Sequence, residues 1–256
     1  MFIFLSRTIQ DAGDLLLKKR DEGFEIMNKN GDNKNIVTSI DIAVNEYIIR
    51  EIQKSFPEHS IYSEEGGGKV NTNEYMWTID PIDGSSNFSR GIPHYAISIG
   101  LLENGIPVMG AVYNPVTKEL FSFKKDEGAV LNGKRLIVSQ KIDLKSASVF
   151  FHQGRKEELR EWGVKSYAAL QEHARKVQDF ACSSLDTCFV ASGRIEANIY
   201  GTLSTLDISP AVGILIEAGG LIANQYGEEI KFIAKEPQKI FVANNRAMLD
   251  QLTAIV

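Results

Sequence analysis

The sequence predicts an α/β protein with α+β layering, and three observations carry that prediction. Two helix-patterned segments open the chain, a run of short strand candidates fills its middle, and from about residue 147 strands and helices alternate without a repeat. No low-complexity linker separates these textures, so two tightly packed lobes are expected, residues 1–145 and 146–256.

Residues 5–20 carry Leu5, Ile9, Ala12, Leu15 and Leu16 at helical spacing and close on Lys18, Lys19 and Arg20, cations that suit the negative end of a helix. The apolar residues 1–5 have no basic leader and predict the start of that helix, not a signal peptide or a membrane span. Residues 28–35 read as a polar loop. From Thr38 the residues Ile42, Val44, Tyr47, Ile48 and Ile52 form a second apolar face, which Pro57 ends. Residues 61–63 are a short strand before the acidic, glycine-rich Glu64, Glu65, Gly66, Gly67, Gly68. Strand candidates follow at 75–79, 96–102, 108–113 and 119–123, and a hairpin over 128–138 turns at Asn132 and Gly133. In the second lobe, 148–151 is extended, 157–172 and 183–192 helical, 195–200 extended, 207–218 helical, 221–223 and 240–243 extended, and 246–254 helical.

Composition narrows the function. The chain has 256 residues, 43% of them hydrophobic, enough for a substantial core. Its net charge of −5, with no Lys/Arg cluster interleaved with aromatics, argues against a nucleic-acid surface. Cys182 and Cys188 stand six apart in a helical pattern and cannot face each other, which predicts reduced thiols and a cytoplasmic protein. His59, His94, His152 and His173 have no ligand spacing and read as structural or surface residues, and Arg194 reads as a helix-end cation.

The segment that points to chemistry is Asp80, Pro81, Ile82, Asp83, Gly84, Ser85, Ser86, Asn87, Phe88. An apolar strand delivers two carboxylates three residues apart into what reads as a turn. Magnesium takes one or two carboxylates together with water and phosphate oxygens, and the Ile82 carbonyl is a third oxygen in reach. Gly84 allows close backbone approach, and the Ser85 and Ser86 amides could open a helix toward phosphate. Read alone, Asp, Gly and Ser are ordinary turn residues, Glu64 and Glu65 a solvated loop, Asp41 a helical surface residue and Asp207 a helix N-cap. Together, in this order, they cease to look independent.

The chain resembles the inositol monophosphatase family. Residues 77–88 match its metal-binding signature, Glu64 and Glu65 its acidic pair, and Val37, Thr38, Ser39, Ile40, Asp41 its Val-Thr-x-x-Asp helix. Leu206 and Asp207, with Glu217, Ala218, Gly219 and Gly220, match its distal signature, and the order agrees from roughly residue 8 to the last residue.

The resemblance implies an αβαβα sandwich and a Mg²⁺-dependent, lithium-sensitive phosphomonoesterase, a homodimer acting on a small phosphorylated metabolite. Two or three Mg²⁺ are implied, one held by Glu64, Asp80 and the Ile82 carbonyl, another by Asp80, Asp83 and Asp207. Ser85, bonded to Asp41, would orient the attacking water, with Glu64 as its metal-side partner. Substrate contacts are implied at Asp83, Gly84, Ser85, Ser86, Ser183, Tyr200 and Asp207. Inositol 1-phosphate leads the substrates. Fructose 1,6-bisphosphate, histidinol phosphate and 3′-phosphoadenosine 5′-phosphate are the rivals, with a non-catalytic binding protein as the reading from another class. The chain departs from the pattern at Ser85, usually Thr; at Leu206, usually aromatic; at Ser209 and Pro210; and at Tyr200, where inositol-specific members carry a Glu that holds sugar hydroxyls.

Overall fold

The computed structural model describes residues 1–28, 36–68, 74–154, 156–230 and 237–256. Apart from Asn28, the expected polar loop lies outside the described residues. The strands flanking it, β1 (Ile26–Asn28) and β2 (Ile36–Thr38), pair antiparallel, which the sequence reading missed.

Five layers stack as α, β, α, β, α. The outermost is α1 (Phe2–Glu22) with α2 (Ser39–Ser55). Thr38 caps α2 through its hydroxyl, and the Thr38 amide donates to the Asp41 carboxylate, a reciprocal pair that satisfies otherwise orphaned donors. Leu5, Ile9, Leu16, Val44 and Ile48 bury this layer against a seven-stranded sheet. That sheet runs in order β3 (Ser60–Ser63), β4 (Tyr75–Asp83), β5 (Ala96–Glu103), β6 (Ile106–Asn114), β7 (Glu119–Lys124), β8 (Gly128–Leu131) and β9 (Lys134–Arg135). Only the β3–β4 pair is parallel.

A five-stranded sheet forms the fourth layer, in order β11 (Lys176–Gln178), β10 (Ser148–His152), β12 (Ala197–Leu203), β14 (Gln238–Ala243) and β13 (Leu221–Ala223). Strand β11 is too short for its pattern to register in the sequence. Between the sheets lie α5 (Ser183–Ala191) and α6 (Ser209–Glu217), whose Leu185, Val190, Val212 and Ile214 meet Val112 and Phe121 of one sheet and Phe150 and Val242 of the other. Beyond the second sheet, α4 (Arg160–His173) and α7 (Arg246–Ile255) cover Val149, Phe151, Ile199 and Phe241. Alternate residues of β10 thus face opposite layers, as the two-residue strand period requires. No helix among the described residues is long and apolar enough to cross a membrane.

Two features of this packing place the site. Strand β4 runs through the acidic motif instead of ending before it, correcting the expected turn. Its register with β5 shifts between Asp80↔Ser98 and Asp83↔Ala96, three steps against two, so one extra residue is inserted beside Pro81. In a regular strand, side chains three apart point to opposite faces; the bulge cancels that half-period and brings both aspartates to one side. Gly100 and Gly110, paired across β5 and β6, leave a slot for Pro210 in the first turn of α6. A Cβ at Gly100 would stand 2.8 Å from Pro210 Cγ, and one at Gly110 2.9 Å from Pro210 Cβ. Ser209 Oγ also bonds Thr78 Oγ1 of β4 at 2.9 Å. Ser209 and Pro210, outside the family pattern, therefore dock the start of α6 on the sheet that carries the motif.

Candidate active site

Glu64, Asp80, Ile82, Asp83, Gly84, Ser85, Ser86, Ser183, Tyr200 and Asp207 all line one cavity of about 610 Å³, within the range of small-molecule sites. They arrive from several parts of the chain, with Asp80, Ile82 and Asp83 together on β4. Parallel pairing of β3 with β4, extended by a bond from the Glu64 amide to the Ile79 carbonyl at 3.1 Å, sets Glu64 beside Asp80. Asp207 does not cap α6, whose N-cap is Ile208; it sits half-buried in the preceding turn, with the Tyr62 hydroxyl donating to Oδ1 at 3.4 Å. Glu65 does not line the cavity. Glu217 is spent elsewhere, accepting the Asp126 and Gly128 amides at 2.9 and 2.8 Å.

Gly84 carries a φ of +86°, the left-handed region that glycine enters freely, and turns the chain from β4 into α3 (Ser85–Ser89). A Cβ there would also come within 3.0 Å of the His94 carbonyl. The turn brings Ser85 Oγ to 2.8 Å from the Ile82 carbonyl and 3.3 Å from Asp41 Oδ1. Asp41 is wholly buried behind Ser85, so it serves both as the capping partner of α2 and as the partner of the serine hydroxyl. Burial raises its pKa, against the bonds from Thr38 and Ser85 that favour the ionised form.

Charge dominates the middle of the cavity. Burial pushes the Asp80 carboxyl well above the ordinary range, and the charges of Glu64, Asp83 and Asp207 and a bond with Glu64 push it further. The pKa of Asp83 is also raised by burial, although the start of α5 holds it: Ser183 Oγ lies 3.2 Å from each carboxylate oxygen, and the Ser184 amide donates to Oδ2. Among the described residues no three His, Cys, Asp or Glu side chains converge closely enough to hold a metal ion. The donor set nonetheless fits a hard cation. All the donors are oxygen, and buried carboxylates crowded in one cavity are stabilised by a divalent charge.

Of the other half of the cavity the sequence named Ser183 and Tyr200 but not the charged residues beside them. His152, expected to be structural or superficial, lines it at the end of β10. Its Nδ1 lies 2.8 Å from Asp179 Oδ1, its Nε2 3.0 Å from Asp186 Oδ2, and its ring stacks on Tyr200 at 4.9 Å. Burial opposes the charged imidazole, but the two carboxylates prevail and raise its pKa to about 9. Asp186 is fully buried and also meets His94 Nε2 at 2.7 Å; burial works against its charge, and the two histidines nonetheless lower its pKa. The Tyr200 hydroxyl is consumed internally, donating to the Ser183 carbonyl at 2.7 Å and lying 3.0 Å from Thr187 Oγ1. Arg194 stands outside the cavity, paired with Glu119 and lying over the Phe189 ring at 4.8 Å. Both cysteines are free and buried.

The model of the inositol monophosphatase family matches residues 1–256. The chain belongs to the inositol monophosphatase family. A relative from Pseudomonas aeruginosa, named Nus factor SuhB, is 31% identical over 256 residues, covering 97% of this chain and 93% of its own. A Thermotoga maritima protein named fructose-1,6-bisphosphatase/inositol-1-monophosphatase is 28% identical, covering 99% and 94%. Among solved structures, a Thermotoga maritima IMPase superposes with a TM-score of 0.87 at 26% identity, covering 97% of this chain and 93% of that one. SaIMPase-II with inositol monophosphate bound gives 0.83 at 25%, covering 99% and 93%.

Proposed function

We propose that this family member is a Mg²⁺-dependent phosphatase that hydrolyses a small phosphomonoester, with inositol 1-phosphate the leading substrate. The observation that carries the reading is the convergence of Glu64, of Asp80 and Asp83 on β4, and of Asp207 on one cavity that is also lined by Ser85, whose hydroxyl is backed by Asp41. Glu64, Asp80 and the Ile82 carbonyl would hold one ion, and Asp80, Asp83 and Asp207 a second. Bound there, the cations would supply an activated water and offset charge on the phosphate and the leaving oxygen. The chain's own residues do the rest. Ser85, fixed by the Ile82 carbonyl and backed by Asp41, orients the water and relays its proton, giving its own hydroxyl proton to the Asp41 carboxylate as it accepts the one from water. Gly84, Ser85 and Ser86, which line the cavity beside these carboxylates, would border the phosphate, and Asp83 and Asp207 the leaving oxygen.

A non-catalytic role, in keeping with relatives named Nus factor SuhB, has less support, because a chain freed from catalysis has no reason to keep four mutually repelling carboxylates. Release of inorganic phosphate from inositol 1-phosphate, fructose 1,6-bisphosphate, histidinol phosphate and 3′-phosphoadenosine 5′-phosphate, each with and without Mg²⁺, tests the reading. Activity is expected only with Mg²⁺ and should be suppressed by millimolar Li⁺. Undiminished turnover in excess chelator would overturn the metal assignment.

A further inference from the structure

The far half of the cavity must hold the part of the substrate that leaves, and its walls limit what that part can be. Tyr200 contributes a ring and no free polar group, since Ser183, Thr187 and Asn198 surround its hydroxyl. Thr202 and Gln153 are neutral. Asp179, just past β11, is the carboxylate that lines this half, and its side chain is 54% exposed.

Asp179 is not a loose surface acid. Its Oδ1 accepts the Ala181 amide at 2.9 Å and faces His152 Nδ1 at 2.8 Å. His152 itself lies between two carboxylates, Asp179 2.8 Å from Nδ1 and buried Asp186 3.0 Å from Nε2, and its ring stacks on Tyr200 within 7° of parallel. Both contacts of Asp179 fall on Oδ1, so neither engages Oδ2. The arrangement orients one carboxylate oxygen and leaves the other to accept hydrogen bonds from a ligand.

We propose that Asp179 is a specificity-determining residue that grips hydroxyl groups of the leaving moiety, so that the substrate is a polyol or sugar phosphate; this rests on the phosphomonoesterase reading of the same cavity. Hydroxyl donors suit a carboxylate, which only accepts, and vicinal hydroxyls can bond it in pairs. A second phosphate does not suit the same place. Although His152 carries positive charge, both its nitrogens face carboxylates, and an incoming anion would meet Asp179 first. His152 acts as a positioning residue, balancing the charge of Asp179 and aiming it.

Steady-state kinetics on the intact Mg²⁺-loaded protein test this, with inositol 1-phosphate compared against phenyl phosphate, which has no hydroxyl on its leaving group. Asp179→Ala should raise KM for inositol 1-phosphate roughly 10- to 100-fold, the range for a lost hydrogen bond to a charged group, with a much smaller change in kcat. The ratio of kcat/KM for the two substrates should fall by a similar factor. Asp179→Asn, close in volume, provides the same readout if the alanine variant does not fold. Active wild-type protein whose ratio is unmoved in a folded variant would overturn the role of Asp179 alone. Wild-type protein inert toward both substrates would overturn the phosphomonoesterase reading, and this proposal with it.

Discussion

At the scale of single residues, Ser85 separates chemistry from packing most clearly. Its hydroxyl joins the Ile82 carbonyl to Asp41, and nothing else at that position does so. Ser85→Ala should lower kcat by about 10²- to 10⁴-fold, the usual span for a positioned proton-transfer group. Its stability should change by only about 1 kcal/mol, the net worth of one hydrogen bond. Ser85→Thr restores the hydroxyl and should keep kcat within several-fold of wild type; phosphate-release kinetics beside thermal melts read both quantities. Sequence reasoning found Ser85 and Asp41 because their motifs are local. It passed over Asp179 and His152, which lie 27 residues apart and mean little until parallel pairing of β10 with β11 sets them side by side.

At the scale of elements, the slot for Pro210 ties stability to activity. Alanine ordinarily suits a strand better than glycine, but a Cβ at Gly100 would press on Pro210 Cγ and stand 2.9 Å from Thr78 Oγ1, the atom that bonds Ser209. Crowding costs of about 1–3 kcal/mol exceed the backbone gain of roughly 0.5–1 kcal/mol, so Gly100→Ala should lower the melting temperature by several degrees. Because Pro210 follows Asp207 by three residues, kcat should fall as well. A variant with normal melting and normal kcat would show that this close approach does not position the site. Most elements were legible from periodicity, since α1, α2 and β5 to β7 are long enough to display it. The bulge in β4 was not, because the same Asp, Pro and Gly residues serve a turn equally well.

At the scale of the whole molecule, buried carboxylates couple stability to pH and to cation. The folded pKa values of Asp41, Asp80 and Asp83 are raised above the ordinary carboxylate range, so the fold binds more protons than the unfolded chain there. Stability from these groups therefore falls as pH rises through their folded values. Asp186 has the opposite sign, its lowered pKa giving stability above the ordinary range that is lost on acidification. His152, raised to about 9, contributes stability that is complete below its unfolded pKa and lost as pH rises through about 9. A cation bound at Asp80 and Asp83 replaces their protons, so the difference between melts with and without Mg²⁺ isolates these two from Asp41, Asp186 and His152. At 100-fold excess over Kd, Mg²⁺ should add about 2.7 kcal/mol, roughly 5–10 °C for a chain of this size. The gain should be larger at pH 7.5 than at pH 5, and an equal gain at both would count against carboxylate coordination.

The sequence by itself determined the α/β class and, by resemblance, the family, its layered fold and the carboxylates that the cavity gathers, because those rest on local pattern: apolar periodicity, the Asp-x-x-Asp spacing and the short motifs that accompany it. Tertiary structure alone decided how Asp80 and Asp83 reach one side, through the bulge, and how Asp207 is carried to them, through Pro210 seated on Gly100 and Gly110. It also decided the far wall, where His152 stands between the carboxylates of Asp179 and Asp186. Charge pairing across separate strands and helices leaves no periodic trace, and becomes visible only once the sheets are stacked.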